Sequence, residues 1–98
     1  MIYTALAILS PDPDNPARKE GYIGAFAACM CEADCLSDAV RLIESEFNEN
    51  GYGLIGFEYI ADTRSLDREL TPDEQELVSL LQNYRVQFKN IHLHKADA

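Results

Sequence analysis

Residues 32–60, EADCLSDAVRLIESEFNENGYGLIGFEYI, contain a helix followed by a strand and set the class of the fold. Over residues 36–48 the apolar side chains recur every three or four positions, which is typical of an amphipathic helix with one buried side. Asn50 and Gly51 then form a helix stop, because glycine readily takes the left-handed backbone conformation found there. Residues 52–62 (YGLIGFEYIAD) are predicted to form the strand that follows.

Two strands are predicted before this helix. Residues 2–10 (IYTALAILS) are almost wholly apolar and too short for a good helix, which favours a buried strand. Residues 11–20 (PDPDNPARKE) hold three prolines within six positions and predict an exposed loop. Residues 21–31 (GYIGAFAACMC) predict a second strand that pairs antiparallel with the first. Alternation along it places three large apolar side chains on one face: Tyr22, Phe26 and Met30.

A second helix and a last strand complete the pattern. Thr71 is the predicted N-cap of this helix, with a proline at the first helical position and Glu74 three residues after the cap. Residues 86–95 (VQFKNIHLHK) predict a strand whose apolar phase slips near Asn90, as at a bulge. The order β-β-α-β-α-β with right-handed crossovers predicts one α+β domain over residues 1–98. We expect a ferredoxin-like two-layer sandwich, with both helices on one face of a four-stranded mixed sheet.

Composition restricts the function. The 98 residues are 47% hydrophobic and 26% charged, which is typical of one globular domain. Seventeen acidic residues against eight basic ones give a net charge of −9, and direct nucleic-acid binding normally requires a basic stripe. No apolar run reaches the ~20 residues that a membrane helix needs, and the first ten residues lack the features of a signal peptide. We therefore expect no direct nucleic-acid binding, no membrane segment and a cytoplasmic protein.

Acidic residues are concentrated in and before the first helix. Between positions 32 and 49 six acids face a single base, Arg41. Such a surface commonly serves solubility alone. The more specific interpretation is a docking surface for a basic partner protein. Its predicted partner-binding residues are Glu32, Asp34, Asp38, Glu44, Glu46 and Glu49.

The cysteines and histidines are the candidates for a metal site. On extended strands Cys29 and Cys31 share one face, about 7 Å apart, and His92 and His94 share another. If the two strands were neighbours, these four side chains could form a tetrahedral zinc set. However, C-x-C and H-x-H differ from the spacings that usually wrap one ion, and free cysteines are commonly buried as small hydrophobes. The prediction is therefore no metal and no cofactor.

Cys35 is the predicted N-cap of the first helix. The helix dipole favours a thiolate there, but the neighbouring carboxylates of Glu32, Asp34 and Asp38 oppose it. Three cysteines without a secretory signal do not predict a disulfide scaffold. A metal- or thiol-dependent protein is nevertheless one alternative function, and it would use Cys29, Cys31, Cys35, His92 and His94.

No catalytic residues are predicted. Residues 51–56 (GYGLIG) match the dinucleotide-binding pattern G-x-G-x-x-G, but that pattern requires a preceding strand and a following helix. Here the order is reversed. No Ser-His-Asp set, phosphate-binding loop or zinc-protease motif occurs, and nothing selects a pair of carboxylates for acid–base catalysis. We predict that the chain is not an enzyme.

The opening stretch, residues 32–60, resembles a recurrent theme of small bacterial α+β proteins. Short antitoxins of the HicB type share its strand–helix half. Uncharacterised and immunity-type proteins look similar through the second helix and a final F-x-x-x-H strand, which Phe88 and His92 echo. The chain departs from HicB in its long third strand, its second helix and its lack of a DNA-binding tail. The resemblance implies a small binding protein and transfers no functional residue.

These observations predict a small acidic protein-interaction module that neutralises or regulates a partner protein. A small-ligand-binding domain that uses the open sheet face is a further alternative. We also expect a homodimer, because two helices on one face leave the other face bare, and aromatic patches are seldom left exposed on monomers. The dimer would bury that face or join sheet edges, with Lys89 and Lys95 partly guarding the last strand. The expected interface residues are Tyr22, Phe26 and Met30.

Overall fold

The computed structural model describes residues 1–95. Within them, the chain forms five strands and three α-helices, and a 3₁₀ turn at Thr63–Ser65 follows the third strand. In this part of the chain, no helix is long and apolar enough to cross a membrane. In chain order the elements are β1 (Ile2–Pro11), α1 (Pro16–Lys19), β2 (Tyr22–Glu32), α2 (Leu36–Glu49), β3 (Tyr52–Asp62), α3 (Pro72–Leu80), β4 (Val86–Phe88) and β5 (His92–Lys95).

The strands form one antiparallel sheet in the order β3-β1-β2, with β4 and β5 both paired to the other edge of β2. The predicted ferredoxin-like arrangement with a four-stranded mixed sheet is therefore wrong. β1 and β2 do pair antiparallel as predicted, but β3 joins the far side of β1. The connection through α2 consequently passes over β1, and strands of the same direction are never neighbours.

The last predicted strand is interrupted where its apolar phase slips. Its first part, β4, pairs with Cys29–Cys31 of β2, and its second part, β5, pairs with Tyr22–Phe26. The residues between them, 89–91, leave the ladder. A five-stranded sheet results where four strands were predicted.

The two long helices cover opposite faces of the sheet, so the prediction that both cover one face is also wrong. α2 buries Ala39, Ile43 and Phe47 in the main core. α3 packs on the other face, where Leu77 and Leu81 enclose Met30. The physical reason lies in β2, which is apolar on both faces and therefore offers a surface to each helix. Its contributions to the main core are Ala25, Ala27, Cys29 and Cys31.

Local sequence signals explain where the helices begin and end. Thr71 caps α3 as predicted: its Oγ1 accepts the N–H of Glu74 at 3.1 Å, and Glu74 Oε1 accepts the N–H of Thr71 at 2.9 Å. Cys35 is the N-cap of α2, also as predicted, but its side chain makes no capping hydrogen bond. Gly51 follows α2 with φ of +89°, a conformation that glycine takes without steric cost.

The proline-rich segment was predicted to be irregular, and in part this is wrong. Residues 16–19 form the single turn α1, because Pro16 occupies the first helical position and the Asn15 side chain accepts the N–H of Ala17 at 2.9 Å. The Asn15 amide also donates to the carbonyl of Gly51 at 2.8 Å. The segment is thereby fixed to the end of α2.

Candidate functional site

α3 covers only one end of its face of the sheet, and within residues 1–95 no other helix lies above the rest of that face. Strand register places Ser10, Gly53 and nine further residues on this uncovered part, and those nine are here called the open face. None is acidic, and none is lysine or arginine. Ala28 and Tyr59 are exposed, whereas Leu6, Ile8 and Phe26 are half-buried and belong to neither core. The open face consists of Leu6, Ile8, Gly24, Phe26, Ala28, Gly56, Tyr59, His92 and His94.

One corner of the open face is built by close packing of β5 on β2. The ring of His94 stacks on Phe26, with centroids 5.2 Å apart and planes inclined by 28°. A Cβ at Gly24 would lie 2.4 Å from the His94 ring, so a larger residue there would require the exposed His94 side chain to move. Beyond this corner, Lys95 Nζ lies 5.0 Å from the centroid of the Tyr22 ring.

A cleft of about 280 Å³ lies where the open face meets the N-terminal end of α3. Ala28 contributes to it from β2 and Leu77 from α3. Tyr59 comes from β3, and the segment between β4 and β5 supplies the opposite side. The cleft is small, and most of the residues that line it are polar or charged. Its lining residues are Ala28, Tyr59, Arg68, Thr71, Asp73, Glu74, Leu77, Lys89, Asn90 and His92.

Glu74 is the most deeply buried charged group that lines the cleft. Both of its carboxylate oxygens accept from the Arg68 guanidinium, at 2.6 and 2.9 Å. The hydrogen bonds from Arg68, joined by the backbone N–H of Thr71, lower the pKa of Glu74 to about 2 although burial opposes this. The same ion pair raises the pKa of Arg68. Glu74 therefore stays ionised and holds α3 to the segment that precedes it.

The second cation of the cleft, Lys89, is also paired. Its Nζ donates to Asp73 Oδ1 at 3.0 Å and to Glu76 Oε2 at 2.6 Å. These hydrogen bonds, first the one to Glu76, raise the pKa of Lys89. Both cations are thus neutralised by α3, so the cleft is not an anion site.

The structure separates the four side chains of the suggested zinc set. Cys29 and Cys31 point into the main core, where burial raises their pKa values to about 12 and about 11. His92 and His94 lie on the opposite face of the sheet. Residues 1–95 contain no group of three or more His, Cys, Asp or Glu side chains placed to hold a metal ion. The two core thiols behave as small hydrophobes, which are poor ligands and poor nucleophiles while protonated.

Cys35 is exposed at the start of α2, and its Sγ lies 3.3 Å from Ser37 Oγ. Its environment differs from that of Cys29 and Cys31, which are buried in the main core beneath α2. The five candidates for a metal- or thiol-dependent function, Cys29, Cys31, Cys35, His92 and His94, are therefore not brought together.

The predicted acidic surface lies on α2 and the turn before it. Glu32, Asp34, Glu44 and Glu49 are exposed, whereas Asp38 and Glu46 are half-buried. Asp38 is hydrogen-bonded to Arg41, and this contact lowers the pKa of Asp38. Arg85 lies beside Asp34 and Asp38 in a shallow depression. Two arginines therefore offset the charge at the N-terminal end of this surface.

Of the three expected interface residues, only Phe26 lies on the open face itself. Tyr22 lies beyond its corner, next to Lys95. Met30 is 1% exposed, because Leu77 and Leu81 of α3 cover it, so it belongs to the core. The interface residues expected from the sequence did not include Leu6, Ile8, Ala28 or Tyr59. The alternation of IYTALAILS against its neighbour could have placed the first two beside Phe26 and Ala28.

The fold and the site together define a small α+β domain with an antiparallel sheet, one of whose faces is left largely open. Comparisons of this chain with protein-family models, with curated proteins and with solved structures gave no match.

Proposed function

We propose that this chain is a protein-interaction module that binds a partner protein through the open face. The observation that carries the proposal is the contrast between this face and the rest of the molecule. The chain has a net charge of −9, yet the nine residues of the open face include no acid, lysine or arginine. An uncharged patch with exposed aromatic and aliphatic groups is typical of an interaction surface.

By binding the partner protein, this chain would regulate or neutralise that partner. Small antitoxins and immunity proteins act on their own partners in this way. The acidic surface on α2 supports a basic partner as the more favourable one, since opposite charges accelerate association. The proposed compartment is the cytoplasm, where the free thiols of the chain would stay reduced.

Site-specific crosslinking tests the open face directly. A photoreactive amino acid is placed at Ala28, which is exposed near the middle of the face, and at the control position Ser45 on the exposed side of α2. After irradiation in cells we expect a discrete protein adduct from position 28 and none from position 45. The adduct should disappear when Tyr59→Glu puts a charge on the same face. Absence of an adduct at position 28, or equal adducts at both positions, would contradict the proposal.

A small-ligand-binding domain is the second candidate function, because the cleft beside α3 joins polar side chains to an apolar wall. With Arg68 and Lys89 already paired, its ligand would be uncharged rather than anionic. A fragment screen by NMR tests this. Chemical-shift changes confined to the amides around Tyr59, Leu77 and His92 would support a ligand site in the cleft. If those amides do not shift with any fragment, the cleft is not a ligand site.

A further inference from the structure

We infer that residues 67–84, which include α3, form a lid that unfolds from the sheet as a unit while the rest of the chain stays folded. The inference concerns the chain alone, so it does not require the partner binding proposed above. It is carried by three features of the described residues: the small core beneath α3, the two depressions that border the helix, and the exposed contacts that join it to the sheet.

The core beneath α3 is separate from the main core. Within residues 1–95 it consists of three buried side chains, those of Met30, Leu77 and Leu81. The main core instead draws buried residues from β1, β2, α2, β3 and β4, and none of them lies between positions 67 and 84. Because burial of apolar surface is the largest stabilising contribution, loss of α3 leaves most of that contribution in place.

Two depressions border α3 and confine its contact with the sheet to a narrow strip. Glu74 and Leu77 line the cleft of about 280 Å³ described above. Val78 lines a second depression, of about 550 Å³, together with Ile2 of β1 and Leu70. Solvent, rather than another helix or strand, therefore borders α3 in both of these places.

The polar contacts that join α3 to the last strands lie near the surface in the described part of the chain. Lys89 binds two carboxylates of the helix, Asp73 and Glu76, whose side chains are 76% and 56% exposed. Exposed ion pairs of this kind contribute little to stability. Gln87 of β4 adds one hydrogen bond, from Nε2 to the carbonyl of Leu80 at 3.1 Å.

The ends of the lid coincide with the ends of the irregular segments around α3. The lid begins just after the 3₁₀ turn and ends before Arg85, whose carbonyl accepts the N–H of Glu32 in β2 at 2.8 Å. A helix of nine residues is not stable in water without packing, so α3 unfolds when it leaves the sheet. Opening therefore breaks the second core and the Arg68–Glu74 pair, and it keeps the main core.

Opening of the lid would lengthen the open face. Met30 is 1% exposed under α3, and Ile2 packs against the same small core. Alternation along the paired strands places both on the same side of the sheet as Leu6 and Phe26. Without α3 this side becomes continuous along β1 and β2, so the lid controls how far the open face extends.

Native-state hydrogen exchange of the purified chain, followed by NMR at low urea concentrations, tests the inference. The α3 amides should have protection factors at least about tenfold lower than the slowest β1 amides. Their exchange should also depend less on urea, because opening exposes less surface than global unfolding. Ile43→Val weakens only the main core, since Ile43 is fully buried under α2. It should accelerate exchange of the β1 amides roughly 2–10-fold and leave the α3 amides unchanged.

Thiol labelling gives a second readout. In a Cys35→Ser background, Met30→Cys places a thiol beneath α3, between Cys29 and Cys31 in the main core. Without denaturant, position 30 should react at least about tenfold faster than either neighbour.

Three results would overturn the inference: equal protection of α3 and β1, equal acceleration of both by Ile43→Val, or a thiol at position 30 that reacts no faster than its neighbours. Each of these would leave the proposed function unaffected. Conversely, a failed crosslink at position 28 would remove the proposed function and leave the lid.

Discussion

Replacing Glu74 by glutamine tests how α3 is held against the sheet. The carboxylate of Glu74 accepts two hydrogen bonds from Arg68 and one from the backbone N–H of Thr71. Glutamine is a normal partner in a capping box, so it keeps an oxygen for Thr71. It loses the negative charge that attracts Arg68, and it replaces the second acceptor oxygen, to which Arg68 also donates, by an NH₂ donor. Glu74→Gln therefore separates the contribution of the ion pair from that of the helix cap.

The pKa of Glu74 gives the size of the effect. A carboxyl with an ordinary pKa of 4.5 is shifted to about 2, which corresponds to about 3 kcal/mol at 1.36 kcal/mol per unit. The Arg68 side chain is 44% exposed, so solvent screens part of the attraction. We expect Glu74→Gln to lower the free energy of unfolding by about 1–2 kcal/mol at neutral pH. Because the folded pKa is the lower one, this stabilisation is complete above pH 4.5 and is lost as the pH falls towards 2.

Urea denaturation of the unaltered chain and the variant over this pH range measures the effect. The difference between their free energies of unfolding should shrink steadily as the pH is lowered below 4.5. Glu76→Gln is the control, since Glu76 is 56% exposed and its pair with Lys89 should contribute less than about 0.5 kcal/mol. Our reasoning would be refuted by a difference that does not change with pH, or by one no larger than that of the control.

Three further predictions concern other parts of the fold. Gly24→Ala should displace His94, whose ring lies 2.4 Å from the added Cβ, and proton exchange of the β5 amides should accelerate more than that of β1. Thr71→Ala should destabilise the chain by about 0.5–2 kcal/mol in thermal or urea denaturation, and an unchanged midpoint would contradict the cap. A thiol reagent at mildly alkaline pH should label Cys35 alone in the folded chain and all three cysteines in denaturant. Labelling of more than one thiol before unfolding would contradict the sealed core.

Much of the local structure was predictable because its signals are contained within a few residues. The capping box at Thr71 and Glu74 and the glycine stop after α2 need no distant contact to form. The phase slip near Asn90 likewise marked the break in the last strand, although it split the strand in two instead of bulging it.

The arrangement of the elements was not predictable in the same way. β2 presents alanine and cysteine on one face and Phe26, Ala28 and Met30 on the other, so its sequence permits a helix on either side. α3 packs on the Met30 side through Leu77 and Leu81. This contact joins residues far apart in the chain, so the spacing of apolar residues within one element does not predict it. The open face is what remains of that side. Met30 is buried and Ala28 is exposed because of where α3 packs, so only the three-dimensional structure distinguishes them.

The long edge strand β3 has a consequence for how the protein avoids fibre formation. Nine of its eleven residues pair with β1 on one side, and an edge of that length is a template for uncontrolled strand addition. The pairing register shifts twice, so that Ile55 and Glu58 are extra residues in β3 with no partner in the ladder. Such irregularities bend the edge and break the even spacing of its free N–H and C=O groups, so an incoming strand finds few consecutive partners. Deleting Glu58 would restore a longer regular edge, and we expect the shortened chain to bind thioflavin T and form fibres faster than the unaltered chain under the same conditions.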